Sequence, residues 1–212
     1  SIKERRGAIV GIIRWLVVIS FVPFLIFILI ANHSMAQDNS AITILYTGKM
    51  QGNIDPCGCS KSPLGGIEAM ASLLRFWKTK GNNHALLVDS GDAFVSEKLF
   101  EAFNKPRRNF LMRVMNYVEY DLLNIGDTEF GFNQTALKEL RSQASFIFLS
   151  ANIIDKNTGK PFFTPYVIKE IGGVKIAFVG LITTKLAPRI PPENIDKLVF
   201  ADPLATAKKY VP

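Results

Sequence analysis

The sequence predicts an α/β fold with mixed strand pairing. Three observations predict it. Short β-branched apolar runs alternate with stretches whose apolar residues recur every three or four positions. Three of the apolar runs end in glycine-marked polar loops. Further on, a Gly172-Gly173 pair separates two more strands, which reads as a tight hairpin turn.

The elements follow in order. "AITILYT" (41–47) reads as a buried first strand, with Gly48 and Gly52 punctuating the loop after it. A helix follows from Gly65 to about Lys80, with Ile67, Met70, Ala71, Leu74 and Trp77 on one face. At least one of Phe76 and Trp77 is expected in the core. "ALLVDSGDAF" (85–94) is a second strand running into Asp89, Gly91 and Asp92. Asn109 to about Val118 reads as a helix with Phe110, Leu111, Val114, Met115 and Val118 facing a sheet. "YDLLNIGDTEF" (120–130) is a third strand with its own glycine–acid loop, followed by a helix over 133–143 and a strand over 146–153. The hairpin strands of 166–183 are expected to close the sheet, and Pro203 to Tyr210 forms a last helix.

Composition bounds the rest. With 212 residues, 48% of them apolar, the chain can bury the core of one domain. Residues 37–212 are read as that domain, truncated at its C-terminal end. Residues 1–36 read as a signal peptide or membrane anchor. A basic start (Lys3, Arg5, Arg6, Arg14) precedes "WLVVISFVPFLIFILIA", which has no charged residue, and Ser34 and Ala36 fit a cleavage site. An uncleaved segment over 8–31 is long enough to span a bilayer. Either way the domain is exported: periplasmic, extracellular, or anchored and facing outward. Without the leader the charge falls from +7 to +4, which gives no reason to expect nucleic acid as a partner. "KPRRNFLMR" (105–113), the densest basic stretch, reads as a solvated helix face.

The chemistry is expected where the three loops meet. Strand ends on one edge of an α/β sheet converge on a common crevice. Glycines there let short acidic side chains reach a fixed point. Carboxylates so placed suit a hard cation that bridges phosphate oxygens.

The ordered blocks "ITILYTGKMQG", "GGI", "LLVDSGDAF", "MNYVEYDLLNIGDTEF", "SANI" and "GVKIAFVGLIT" resemble the N-terminal domain of 5′-nucleotidases, within the calcineurin-like metallophosphoesterases. The resemblance covers nearly everything from Ile42 to Thr184. It implies a metallophosphoesterase-type sandwich of mixed sheets flanked by helices, a two-metal site at the strand ends, and hydrolysis of nucleotide-like phosphate esters. It places metal-binding roles on Asp92 and Asp127, for a divalent ion such as Mn²⁺, Mg²⁺, Ca²⁺ or Zn²⁺. It places contacts to a nucleotide-like or other phosphate-containing small molecule on Lys49, Gln51, Thr128 and Glu129.

The chain departs from the family pattern at four positions. Lys49-Met50-Gln51 stands where the family has Asp-x-His, and Asp127-Thr128 where it has Asn-His. An ammonium at 49 repels a divalent ion and can instead pair with Asp92 or Asp127. Gln51 offers a neutral oxygen, and Thr128 is a poor proton donor beside imidazole. Only His33 and His84 occur in the chain. A degenerate two-metal site is therefore expected.

"PCGC" holds the only cysteines, Cys57 and Cys59. Some bacterial 5′-nucleotidase-like proteins resemble this chain in having a Cys-Gly-Cys loop before Gly-Gly. Two readings stand side by side: a redox-active or metal-binding thiol pair, or a structural disulfide that stiffens the loop.

Overall fold

A computed structural model describes residues 42–58, 64–80, 85–94, 105–186 and 190–211. The leader (1–36, with the apolar segment 8–31), Cys59 and His84 lie outside the described residues. Four parallel strands, β1 (Thr43–Thr47), β2 (Ala85–Asp89), β3 (Leu122–Asn124) and β4 (Ile147–Leu149), lie side by side in chain order. Their register runs Thr47 to Asp89, Asp89 to Leu123 and Asn124 to Leu149. Helices α1 (Ile67–Lys80), α2 (Lys105–Tyr117) and α3 (Gln134–Gln143) alternate with them. Parallel neighbours need such crossovers, and crossovers bury the sheet. That is why β2 is apolar along nearly its whole length and buried at four of five positions.

The ends of the elements follow local chemistry. The Asn133 side chain accepts the Ala136 N–H at 2.8 Å and starts α3. Helix α5 (Pro203–Tyr210) begins with Asp202 accepting the Ala205 N–H at 2.7 Å, and Pro203 takes a position that needs no donor. The core between sheet and helices is filled by Leu87, Leu111, Met115, Leu123, Phe130 and Phe148, all essentially inaccessible.

Strand β1, expected to be buried, is exposed at Ile44 and Tyr46, and Phe110, expected to face the sheet, is exposed as well. Four further expectations change. The strand expected over 146–153 divides into β4 and β5 (Ile153–Asp155), because Asn152 pulls the chain aside. Its amide donates to the Ile182 and Ala201 carbonyls at 2.8 and 2.9 Å, and its oxygen accepts the Ile182 N–H at 2.9 Å. Strand β5 then pairs antiparallel with β8 (Leu198–Phe200), just after the short helix α4 (Pro192–Ile195). The hairpin β6 (Tyr166–Ile171) and β7 (Val174–Val179) does not close the parallel sheet. It pairs with itself, and its base is tied to the end of β4 through the bond from Ala151 N–H to the Gly180 carbonyl at 2.7 Å. The result is α/β, with one parallel and two antiparallel sheets flanked by helices.

The other two corrections concern side chains. Phe76 and Trp77 are both about half exposed, so neither fills the core. They pack edge-to-face with ring centroids 5.7 Å apart, and Lys80 lies over Phe76. Arg108, expected on a solvated face, is buried instead. Its guanidinium lies 5.0 Å from the Phe132 ring centre and 3.7 Å from the Glu139 carboxylate.

Candidate functional site

Three adjacent parallel strands end on one edge, and their loops meet there: 48–52 after β1, 90–94 after β2 and 125–131 after β3. Backbone bonds lace the first two together. The N–H groups of Lys49, Gln51 and Gly52 donate to the carbonyls of Gly91, Asp92 and Ala93, each at 2.8 Å. Lys49, Gln51 and Asp92 all adopt left-handed backbone conformations, with φ of 54°, 53° and 58°. Such conformations are costly away from glycine and gather where the surroundings over-determine them. The lacing supplies that constraint here.

Two glycines are required by space. Gly91 has φ 110°, and a Cβ on it would lie 2.7 Å from the Gly126 nitrogen. A Cβ on Gly126 would lie 2.1 Å from an Asp92 carboxylate oxygen. The second and third loops therefore touch backbone to backbone, and this close approach brings Asp92 to the third loop.

Asp92, Thr128 and Glu129 form the joint. Asp92 Oδ1 accepts both the N–H and the hydroxyl of Thr128, each at 3.2 Å. Glu129 Oε1 accepts the Ala93 N–H at 2.8 Å, while Oε2 accepts the N–H groups of Gly126 at 2.8 Å and Asp92 at 3.0 Å. Burial, and next the Asp92 charge, push the Glu129 carboxyl up to about 7, against the pull of the backbone donors. Glu129 and Thr128, read from the sequence as ligand contacts, are both buried in this arrangement. The physical reason is that the third loop needs an acceptor for three converging N–H groups, and the carboxylate fills that need.

The remaining residues stand apart. Lys49 is exposed and Gln51 half-buried. Among the described residues no salt bridge joins Lys49 to Asp92, one of the two partners expected for it. Asp127 is half-buried at the start of the helical turn Thr128–Gly131. Among the described residues no group of three or more His, Cys, Asp or Glu side chains converges as a metal set would. Cys57 is exposed, and its sulfur accepts the Leu64 N–H at 3.1 Å. Its own N–H donates to the Leu64 carbonyl at 2.9 Å, which closes the neck of the cysteine loop.

Sequence reading placed Asp89 at the end of the second strand but gave it no role in the site. Asp89 ends β2 beneath the loops, buried, and accepts the Gly91 N–H at 2.8 Å and the Thr47 hydroxyl at 2.6 Å. The Thr47 hydroxyl in turn lies 2.7 Å from the Tyr120 hydroxyl. Burial raises the Asp89 carboxyl above its ordinary value despite these bonds. The signal was legible as Asp-x-Gly at a strand end, where an aspartate bonds the backbone two residues on.

No family model matches the chain. It is 39% identical over 171 residues to Protein UshA of Yersinia enterocolitica, covering 80% of this chain and 30% of that protein. It is 41% identical over 97 residues to a 5′-nucleotidase of Vibrio cholerae, covering 46% and 18%. A 2′,3′-cyclic-nucleotide 2′-phosphodiesterase/3′-nucleotidase of Salmonella typhimurium is 29% identical over 161 residues, covering 69% and 25%. The chain thus spans less than a third of the length of these curated relatives. Among solved structures, a 5′-nucleotidase precursor from Thermus thermophilus superimposes with a TM-score of 0.63 at 24% identity, over 80% of this chain and 34% of that one. The calcineurin-like phosphoesterase YfkN from Bacillus subtilis gives 0.60 at 22%, over 80% and 56%. The two likenesses establish the fold, and the curated relatives make the chain a 5′-nucleotidase-like member of the metallophosphoesterase superfamily.

Proposed function

We propose that this chain is the phosphate-recognising part of an exported nucleotidase-like protein whose crevice does not assemble a two-metal centre. One observation carries the reading. The laced loop after β1 holds the exposed ammonium of Lys49 and the amide of Gln51 at the strand-end crevice, in left-handed conformations that the backbone bonds fix. A cation and an amide donor there suit a phosphate oxygen. They do not suit a divalent ion, which seeks anionic or imidazole donors.

The donor chemistry of the other positions supports this. One oxygen of Asp92 already accepts two bonds from Thr128. Asp127 adds one carboxylate, and the family's imidazole position carries a hydroxyl instead. The residues present therefore do not fit a two-metal set. Nucleotide-like ligands are the natural class, since the curated relatives are named for nucleotides.

The test uses the protein from Gln37 onward, with Mn²⁺ and nucleoside monophosphates. The reading expects little turnover, together with AMP binding that weakens about tenfold in Lys49→Ala. Robust Mn²⁺-dependent hydrolysis that Asp92→Ala abolishes would overturn it. Export rests on residues 1–36. A reporter fused after Gln37 that stays in the cytoplasm would remove that part alone. Among the described residues no helix is long and apolar enough to cross a membrane.

A second reading is favoured by the bond from the Leu64 N–H to the Cys57 sulfur. An amide aimed at sulfur stabilises thiolate, the nucleophilic and metal-binding form. The Cys57–Cys59 pair would then exchange with an external dithiol/disulfide partner, which takes up its two electrons and two protons when the pair closes, at a higher potential than structural bridges. A pair that resists strong reductant, or that is never oxidised, removes this reading.

A further inference from the structure

One cavity lies away from the strand-end crevice. It measures about 480 Å³ and opens at the opposite edge of the parallel sheet, where β2 and β3 begin. Ala85, Leu86, Val118 and Ile171 form the apolar part of a mostly polar wall. Three cations line it from two elements, Arg75 and Lys78 from the last turns of α1 and Lys169 from β6. Asp121 and Glu119 are the acidic residues along it.

The cations are held in place. Asp121 is fixed first, because its carboxylate accepts the Leu87 N–H at 2.9 Å. Lys78 donates to that carboxylate at 3.3 Å and to the Glu119 carbonyl. Lys169 stands 3.7 Å from the other oxygen, which is ion-pair distance but beyond a hydrogen bond. Arg75 donates to the Tyr117 carbonyl at 3.2 Å, and its guanidinium stacks 4.4 Å from the Tyr117 ring centre. A guanidinium has five N–H donors and an ammonium three, so each cation keeps donors beyond these contacts. Three cations face one engaged carboxylate and one further acid, which leaves positive charge unbalanced.

We infer that this cavity is a second anion site, which takes a phosphate group through Arg75, Lys78 and Lys169. The inference is independent of the reading of the strand-end crevice. A tetrahedral dianion fits the donor set, because planar Arg donors and point-charge Lys donors together reach several oxygens. Inorganic phosphate and the phosphate of a larger ester share this chemistry.

The test titrates the full chain with inorganic phosphate, pyrophosphate, AMP and adenosine at low salt, following backbone amide shifts by NMR. Phosphate or pyrophosphate should shift the amides of α1, Asp121 and β6, and adenosine should leave them in place. Lys169→Ala and Arg75→Ala should each weaken binding about tenfold, and the weakening should shrink as salt rises. Lys169→Arg should restore affinity, which separates lost charge from lost folding. Lys49→Ala should leave these shifts unchanged. The inference fails if no saturable shift occurs around Asp121. It also fails if Lys169→Ala, folded by circular dichroism, binds as the wild type does, or if Lys49→Ala abolishes the response. If inorganic phosphate saturates the site but AMP does not, the ligand is the free anion; the reverse result assigns it to an ester.

Discussion

The Glu129 carboxylate accepts the backbone N–H of Asp92 at 3.0 Å, between two loops across a separation of 37 residues. With its bonds to Ala93 and Gly126 it fastens the second loop to the third. Glu129→Gln keeps the shape but turns an NH₂ group toward N–H donors. Buried donors left without an acceptor cost about 1–3 kcal/mol each. The variant should lose about 2–3 kcal/mol in urea unfolding. A loss below about 0.5 kcal/mol would show that the clasp is not needed.

Asp89 gives a pH prediction. Its folded carboxyl lies above the ordinary value near 3.8, chiefly through burial. The folded state therefore holds its proton to higher pH than the unfolded chain does. Its contribution is fully present below the unfolded value and is lost as pH rises through the folded one. Compared with Asp89→Asn, the wild type should lose relative stability as pH rises from about 4, then level off above the raised value. Unfolding free energies of both proteins at half-unit pH steps measure this. A flat difference, or one that grows with pH, contradicts the assignment.

These two acids mark the limit of what the sequence discloses. The alternation of strands and helices was legible, because apolar spacing records which face meets the core. The three loops were legible because Gly48, Gly91 and Gly126 interrupt apolar runs. The burial of Glu129 was not, since a lone acid beside Asp127 looks the same whether it faces water or three converging N–H groups. Arg108 was misread for a similar reason: its Phe132 and Glu139 partners lie 24 and 31 residues away, and spacing does not reveal them. The half-exposed Phe76 and Trp77 show the converse. Helical spacing continues through them into the last turns of α1, where the core has already ended.

Gly91 and Gly159 separate two costs of adding a methyl group. Both have positive φ, 110° and 65°. A Cβ at Gly159 meets nothing within 4 Å, whereas one at Gly91 would meet the Gly126 nitrogen at 2.7 Å. Gly159→Ala should cost about 1 kcal/mol, from conformation alone. Gly91→Ala should cost more, about 3 kcal/mol, because backbone must move as well. It should also weaken AMP binding, while Gly159→Ala leaves binding intact. Equal costs in thermal unfolding would mean that the second and third loops are not in the contact described.

Restoring the family's donors provides the reverse experiment. Lys49→Asp with Gln51→His replaces an ammonium and an amide by a carboxylate and an imidazole on a loop whose backbone is already fixed. Adding Thr128→His supplies a third change, at a buried position where packing resists it. The double variant is therefore the cleaner test. Exchanging a positive for a negative charge beside a dication is worth several kcal/mol at close range, less where water screens the site. Lys49 is exposed, so the gain should be about 10- to 100-fold in Mn²⁺ affinity. Calorimetric titration of wild type and double variant reads it directly. If both proteins bind Mn²⁺ equally tightly, the ammonium is not what opposes the ion. The crevice would then hold its metal through Asp92 and Asp127 alone.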